Sequence, residues 1–196
     1  MIRFAAPVLI APVLIVLVGL VLIGQGVWIH VKALLAQVLL DHAFVETVAT
    51  GRDVKPWPWA DTWPVARISV ARLDASAIVL AGSSGQALAF GPGHVDSTPD
   101  AGERGVAVYV AHRDPHFRFL KDVVVGDEIT VTRQDGRTFR YRVDGTSVVR
   151  FDASGIDPLA SGHALILSTC WPLDGMTHGP LRYLVHATMI GGGASA

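Results

Sequence analysis

The sequence has one cysteine, little charge and no excess of either sign, and each shortage closes off a class of protein. A single thiol, Cys170, allows no internal disulfide framework and no multi-cysteine zinc or iron–sulfur site. Sixteen Lys and Arg stand against 17 Asp and Glu in 196 residues, which leaves no basic footprint for nucleic acid. Charged residues make up 17% of the chain, below the roughly 25% of an average soluble domain. With 51% hydrophobic residues, disorder, coiled coil and collagen are excluded. The charge deficit is local, because residues 1–31 carry one charged side chain, Arg3. The length suits one domain on a prior of roughly 100–200 residues.

From Phe4 to Ile29 there is no charge at all. As a helix rising 1.5 Å per residue this stretch spans roughly 39 Å, more than a hydrocarbon core of roughly 30 Å. Pro7 and Pro12 disturb only its first turns. A cleaved signal peptide is the competing reading, but its apolar region covers about 7–15 residues and ends at a small-residue site. Here more apolar sequence follows. Residues 1–31 are therefore expected to be an uncleaved, single-pass membrane anchor. Arg3 favours an inside amino terminus, although Lys32 and Arg52 on the far side blunt the bias. The expected location is the inner (cytoplasmic) membrane, single-pass, with the carboxyl domain outside, facing the periplasm.

Residues 32–64 read as a helix followed by a connector. Apolar residues recur at helical spacing through residues 31–50, and GRDVKPWPWADTWP then ends the helix with three prolines and three tryptophans. Those tryptophans could sit at the lipid interface or cover apolar domain surface, and packing is the expected role because a helix-length segment separates them from the anchor. After Pro64 the pattern changes to short β-like runs at 66–73, 77–81, 106–111, 127–133, 138–144, 146–151, 164–170 and 181–190. Gln134-Asp135-Gly136 joins two alternating segments and signals a hairpin. The expectation is a mostly β barrel or sandwich over residues 65–190, with one brief helical stretch near His116 to Val123. Residues 191–196, GGGASA, are expected to be a flexible tail.

Cys170 closes the run ALILSTC and is followed by Trp171-Pro172, so its strand should stop there and leave the thiol at a strand end. A lone cysteine is more often an inert buried hydrophobe than a nucleophile. At pH 7 an unperturbed thiol of pKa near 8.5 is only about 3% ionised, so a reactive one needs a partner. Eight histidines are available. His112 closes the strand VAVYVAH and, like Cys170, falls at a strand end. His30 lies at the membrane edge, His42 in the helix and His163 in a turn. His186 reads as structural, while His94 and His178 occupy loops that could line a site. His112 and His116 have i, i+4 spacing, but Pro115 intervenes and no third ligand is evident, so no metal is expected. Arg182 follows Cys170 by twelve residues, on what should be the neighbouring strand. Its charge could favour a thiolate and a developing oxyanion, or it could be a solvated edge arginine.

AHRDPHFRFL, ALILSTCWP and GPLRYLV, in this order, resemble the sortases, cysteine transpeptidases built on an eight-stranded β-barrel. Leu167, Thr169 and Cys170 match the family's T-L-x-T-C, with Ile166 at the first threonine, and Ala111 replaces a glycine before the histidine. The resemblance covers about residues 56–190. It is close to the Gram-negative subset in the PWPWADTWPVARI connector and the HRDxHFxFL segment. The resemblance implies Cys170 as nucleophile, His112 as acid/base and Arg182 as electrostatic stabiliser, with Thr169 contributing to the substrate site. It implies cleavage of an LPXTG-like carboxy-terminal sorting signal through a thioester, transfer to an amine or water, and no cofactor. A protein with VIT and von Willebrand type A domains is the implied partner.

Two other readings are kept. L,D-transpeptidase-like cell-wall enzymes are also β-rich with His before Cys, but place an arginine almost directly after the cysteine. Papain-like hydrolases have the opposite chain order. A non-enzymatic membrane-tethered β module, with Cys170 merely buried, is the second.

Overall fold

A computed structural model describes residues 6–175 and 179–195. The chain divides into two compact units, Met1–Val38 and Leu39–Ala196. A single helix, α1 (Ala6–Thr50), runs through the first unit and into the second. From Pro12 onward it is long and apolar enough to cross a membrane, a test that an amino-terminal signal sequence also passes. Side chains such as Leu14, Ile15, Leu22 and Ile23 are exposed, and from Val13 to Ile23 the helix carries no charged residue on any side. That pattern suits lipid better than water.

In the second unit the chain forms β1 (Pro64–Val70), β2 (Ala75–Leu80), α2 (Gly85–Phe90), β3 (Gly93–His94), β4 (Gly105–Val110), β5 (Glu128–Arg133), β6 (Arg137–Arg150), β7 (His163–Cys170) and β8 (Leu181–Ser195). They close into a barrel in the order β1-β2-β3-β4-β7-β8-β6-β5. Pairing is antiparallel except at β2–β3 and β4–β7. Strand β1 alternates buried and half-buried residues, as a one-sided barrel wall should. Ile68, Val131, Phe139, Tyr141, Leu165, Leu167 and Val185 fill the interior.

Strands β4 and β7 are buried on both faces, which is why they read as near-continuous apolar runs. Their outward residues Val106, Val108 and Ile166 join Leu184 of β8 in a second cluster, covered by Val95, Ile156 and Ala160. A third cluster forms where Leu40 and Phe44 of α1 meet Ile78, Leu80 and Ala87. There Asp41 pairs with Arg67, whose guanidinium lies 4.8 Å from the Phe44 ring. The Gln134-Asp135-Gly136 turn joins β5 to β6, with Gly136 at φ +77°, a conformation that favours glycine.

Several expectations are corrected. The segments 138–144 and 146–151 form one strand, β6, because irregular register between Val143 and Gly145 absorbs the apparent break. The eighth strand is instead β3, two residues too short to show a period. Helix α2 was not expected; Ser84 caps its amino end by accepting from Ala87 N. The brief helical stretch expected near His116 to Val123 is present, as a 3-10 turn over Arg118–Asp122. Gly191–Ser195 extend β8 against Arg137–Arg140 instead of forming a loose tail, since ladder bonds need only backbone. His163 begins β7 and is not in a turn. Of the connector tryptophans, Trp57 packs edge-to-face on Phe90 with ring centroids 4.8 Å apart, whereas Trp59 is 80% exposed.

Candidate active site

Cys170 is the last residue of β7. Trp171 N still donates to Leu181 O at 3.1 Å, and Pro172, which has no N–H, ends the pairing. Alternation puts Ile166, Ser168 and Cys170 on the outer face of β7 and Leu165, Leu167 and Thr169 on the inner one. Cys170 is half-buried.

Arg182 is the direct cross-strand partner of Cys170 on β8. Opposed residues share a face with Cβ atoms roughly 4.5–5.5 Å apart, so guanidinium and thiol rise from adjoining positions. The guanidinium is anchored: Nη1 donates to Gly179 O at 3.0 Å and to Leu181 O at 2.8 Å, and its carbon lies 5.6 Å from the Phe151 ring centroid.

His112 comes from the other side of β7. Strand β4 runs parallel to β7 with Val110 opposite Ser168, and Ala111 N prolongs the ladder by donating to Ser168 O at 3.1 Å. Carried two residues past Val110, this register brings His112 level with Cys170. Thr169 secures the junction from the inner face. It is 1% exposed, and its hydroxyl donates to Ala111 O at 2.9 Å.

His112, Thr169, Cys170 and Arg182 all border one cavity of about 620 Å³. Val108 and Val110 of β4, Leu184 of β8 and Val149 of β6 form its apolar floor, while Ser83, Leu88, Ser154 and Ile156 stand around it. Phe151, 61% exposed, forms part of its wall. The combination is an apolar trough ending at a thiol, with an imidazole on one side and a guanidinium on the other. A cation beside the thiol favours thiolate, and the same charge can stabilise an oxyanion. The imidazole can exchange a proton with a leaving or entering amine.

The remaining histidines are placed elsewhere or do other work. His94 Nε2 contacts Pro99 O at 3.1 Å and Thr98 Oγ1 at 3.2 Å, and does not border the cavity. His186 Nε2 lies 2.7 Å from Ser147 Oγ. His178 lies outside the described residues. His116 is half-buried; burial holds it below the usual histidine range, against the opposing effect of the Ala89 backbone, and the charge of His112 pushes the same way as burial. Ala89 belongs to α2, so the imidazole of His116 lies beside that helix. Among the described residues, no three His, Cys, Asp or Glu side chains are gathered as metal ligands.

Two features of the site were not foreseen. Helix α2 supplies one wall through Leu88, and Arg113 spans from the His112 turn to the Pro172 carbonyl. The HRDPH segment was the available signal for Arg113 and His116, but spacing alone assigned them no partners.

A Sortase domain model matches residues 68–190, more than half of the chain. Sortase D of Bacillus subtilis (strain 168) is 27% identical over 124 residues, covering 63% of this chain and 62% of that protein. The chain thus spans less than two thirds of that curated relative's length. Among solved structures, sortase C1 of GBS Pilus Island 1 superposes with a TM-score of 0.58 at 29% identity, over 65% of this chain and 66% of that one. Sortase E from Streptomyces avermitilis gives a TM-score of 0.56 at 27% identity, over 66% and 90%. A sortase D5 transpeptidase from Clostridium perfringens, at 21% identity and a TM-score of 0.60, covers 80% of this chain and 96% of its own and supports the fold.

Proposed function

The chain belongs to the sortase family of cysteine transpeptidases, and from that premise we propose that it cleaves an LPXTG-like carboxy-terminal sorting signal and transfers the acyl part to an amine. In the first half-reaction the Cys170 thiolate attacks a backbone carbonyl carbon of the signal. The new C–S bond forms, Arg182 supports the oxyanion or holds the peptide backbone, and the C–N bond breaks as protonated His112 gives its proton to the leaving amine. The second half-reaction runs this chemistry in reverse. An entering amine loses a proton to His112 and displaces Cys170 from the thioester. Splitting amide exchange into two steps lets an amine compete with water for a stored acyl group. Thr169 serves the substrate site by fixing the residue before His112.

The observation that carries this reading is the convergence of residues from β7, β8 and the end of β4 on one cavity. A merely buried cysteine would not require a cation opposite it or a groove leading to it. The L,D-transpeptidase alternative loses its ground with the family match.

Helix α1 is proposed to anchor the enzyme in the inner membrane with the second unit in the periplasm. Enzyme and sorting substrate held at one surface meet at a raised effective concentration. A substrate protein with VIT and von Willebrand type A domains is proposed as the partner, as in Gram-negative members of the family.

Mass spectrometry of the full chain in detergent micelles, incubated with a panel of LPXTG-like peptides, tests the reading. A covalent adduct on Cys170 is expected with at least one peptide. Cys170→Ala and His112→Ala should abolish it, and Arg182→Ala should reduce it severely. No adduct with any peptide, or an adduct that survives in Cys170→Ala, overturns the proposal.

A further inference from the structure

We propose that Arg113 is a positioning residue that fixes His112 relative to Cys170; this rests on the roles assigned above to those two side chains. Both lie just where their strands run out of ladder bonds. Beyond Ala111 the chain enters a turn in which Phe117 N donates to His112 O at 3.3 Å, and beyond Trp171 the β7 pairing stops. Something other than the sheet must hold the two turns in register. Thr169 does so from the inner side, through the carbonyl of Ala111.

Arg113 does so from the other end. Its Nη1 donates to Pro172 O at 2.6 Å, and its Nε donates to Asp114 Oδ2 at 3.0 Å. One guanidinium thus joins a carbonyl two residues after the nucleophile to a carboxylate two residues after the acid/base. The side chain is only 18% exposed, so solvent competes weakly for these bonds. A planar fork of donors suits this double duty, since its two bonds are fixed in direction relative to one another. The charge of a lysine would be equivalent, but its single ammonium at the end of a flexible stem would not reproduce the fork. Arg113 does not border the cavity, so it acts through His112 and not on substrate.

Arg118 supplies an internal control. It also approaches Asp114, at 3.9 Å, but is 72% exposed and, among the described residues, makes no bond to the Cys170 turn. If Arg113 matters only through the charge it places beside Asp114, both arginines should behave alike. If it matters as a strut between turns, they should differ.

Misplacing a reacting group by about 1 Å can cost about a hundredfold in rate, so a loss of ten- to a hundredfold is expected. The test uses the full chain in detergent micelles and compares Arg113→Gln, Arg113→Lys, Arg118→Gln and His112→Gln. The first readout is the pH profile of Cys170 alkylation by iodoacetamide, which needs no sorting peptide and reports the imidazole–thiol relation directly. Arg113→Gln and Arg113→Lys should move toward the His112→Gln profile, while Arg118→Gln should keep that of the parent. The second readout is peptide cleavage, in which the Arg113 variants should lose kcat with KM changed less than about twofold. An Arg113→Lys variant that keeps the parent profile and rate overturns the proposal. So does an Arg118→Gln effect equal to that of Arg113→Gln, or a loss confined to KM. If the parent cleaves no peptide, transpeptidation fails as a reading, yet the alkylation profiles still decide the role of Arg113.

Discussion

Strands β7 and β8 each present two faces, and residues adjacent in the chain do unrelated work because of it. The inner face of β7, Leu165 and Leu167, is sealed into the barrel with Val185 and Ala187 of β8. Its outer face begins just as apolar, with Ile166 beside Leu184, and then turns reactive at Cys170 opposite Arg182. The barrel interior is therefore packed without regard to chemistry. The chemistry is confined to the ends of the outer face, where the ladder stops and side chains reach a cavity. Position parity along β7 should then sort the effect of a substitution: odd-numbered positions carry stability and even-numbered positions near the carboxyl end carry reaction.

Cys170→Ala tests the even side and should have the largest effect. Acyl-enzyme should vanish entirely, while the thermal unfolding midpoint stays within a few degrees, since a half-buried sulfur contributes little packing. A large drop in the midpoint would show that the outer face is part of the core. Leu167→Ala tests the odd side. Leu167 is fully buried, and its truncation should cost about 2–5 kcal/mol in chemical denaturation, from lost burial and the cavity left behind. Per folded molecule, the Cys170 alkylation rate should not change. If that rate falls in step with stability, the two faces are not separable.

This division was half legible in the sequence. Apolar runs of VAVYV and ALIL announced strands, and Trp171-Pro172 marked where β7 must end. That placed Cys170 and His112 at strand ends, and the twelve-residue spacing put Arg182 on the neighbouring strand. Register was not legible, because nothing in the spacing says that Cys170 faces Arg182 and not Leu181. Strand β3 was invisible for a different reason, since two residues, Gly93 and His94, have no period. Nor could the break near Gly145 be told from a turn, since a bulge interrupts alternation in the same way. The Arg113 strut ends on a backbone carbonyl 59 positions away, and a carbonyl is the same at every residue.

Thr169→Val probes the seam between the faces. Thr169 belongs to the inner face by burial, yet its hydroxyl donates to the carbonyl just before His112. Valine keeps the shape and leaves that acceptor without its donor, which should cost about 1–3 kcal/mol. Unlike Leu167→Ala, it should also slow peptide cleavage, because the His112 turn loses its inner tether. A stability loss with an unchanged cleavage rate per folded molecule would assign Thr169 to the core alone.

The smallest effect should come from the side of the cavity that α2 walls. His116 lies beside α2 at the Ala89 backbone, and burial holds it below the ordinary histidine range. A histidine whose folded value lies below its unfolded value binds protons more readily when unfolded, so it stabilises the fold above the unfolded value of about 6.5. That contribution is lost as pH falls from about 6.5 through the lower folded value. Asp127 acts in a separate window. The Arg72 guanidinium holds this buried carboxyl below the usual range against the cost of burial, helped by Val124 N–H, so its contribution fades only below about pH 4. Denaturation midpoints measured from pH 7 to 5 should therefore decline for the parent and flatten in His116→Gln. A glutamine side chain is polar and does not titrate, so that variant removes the proton. If the slope persists in His116→Gln, the acid sensitivity belongs to another group.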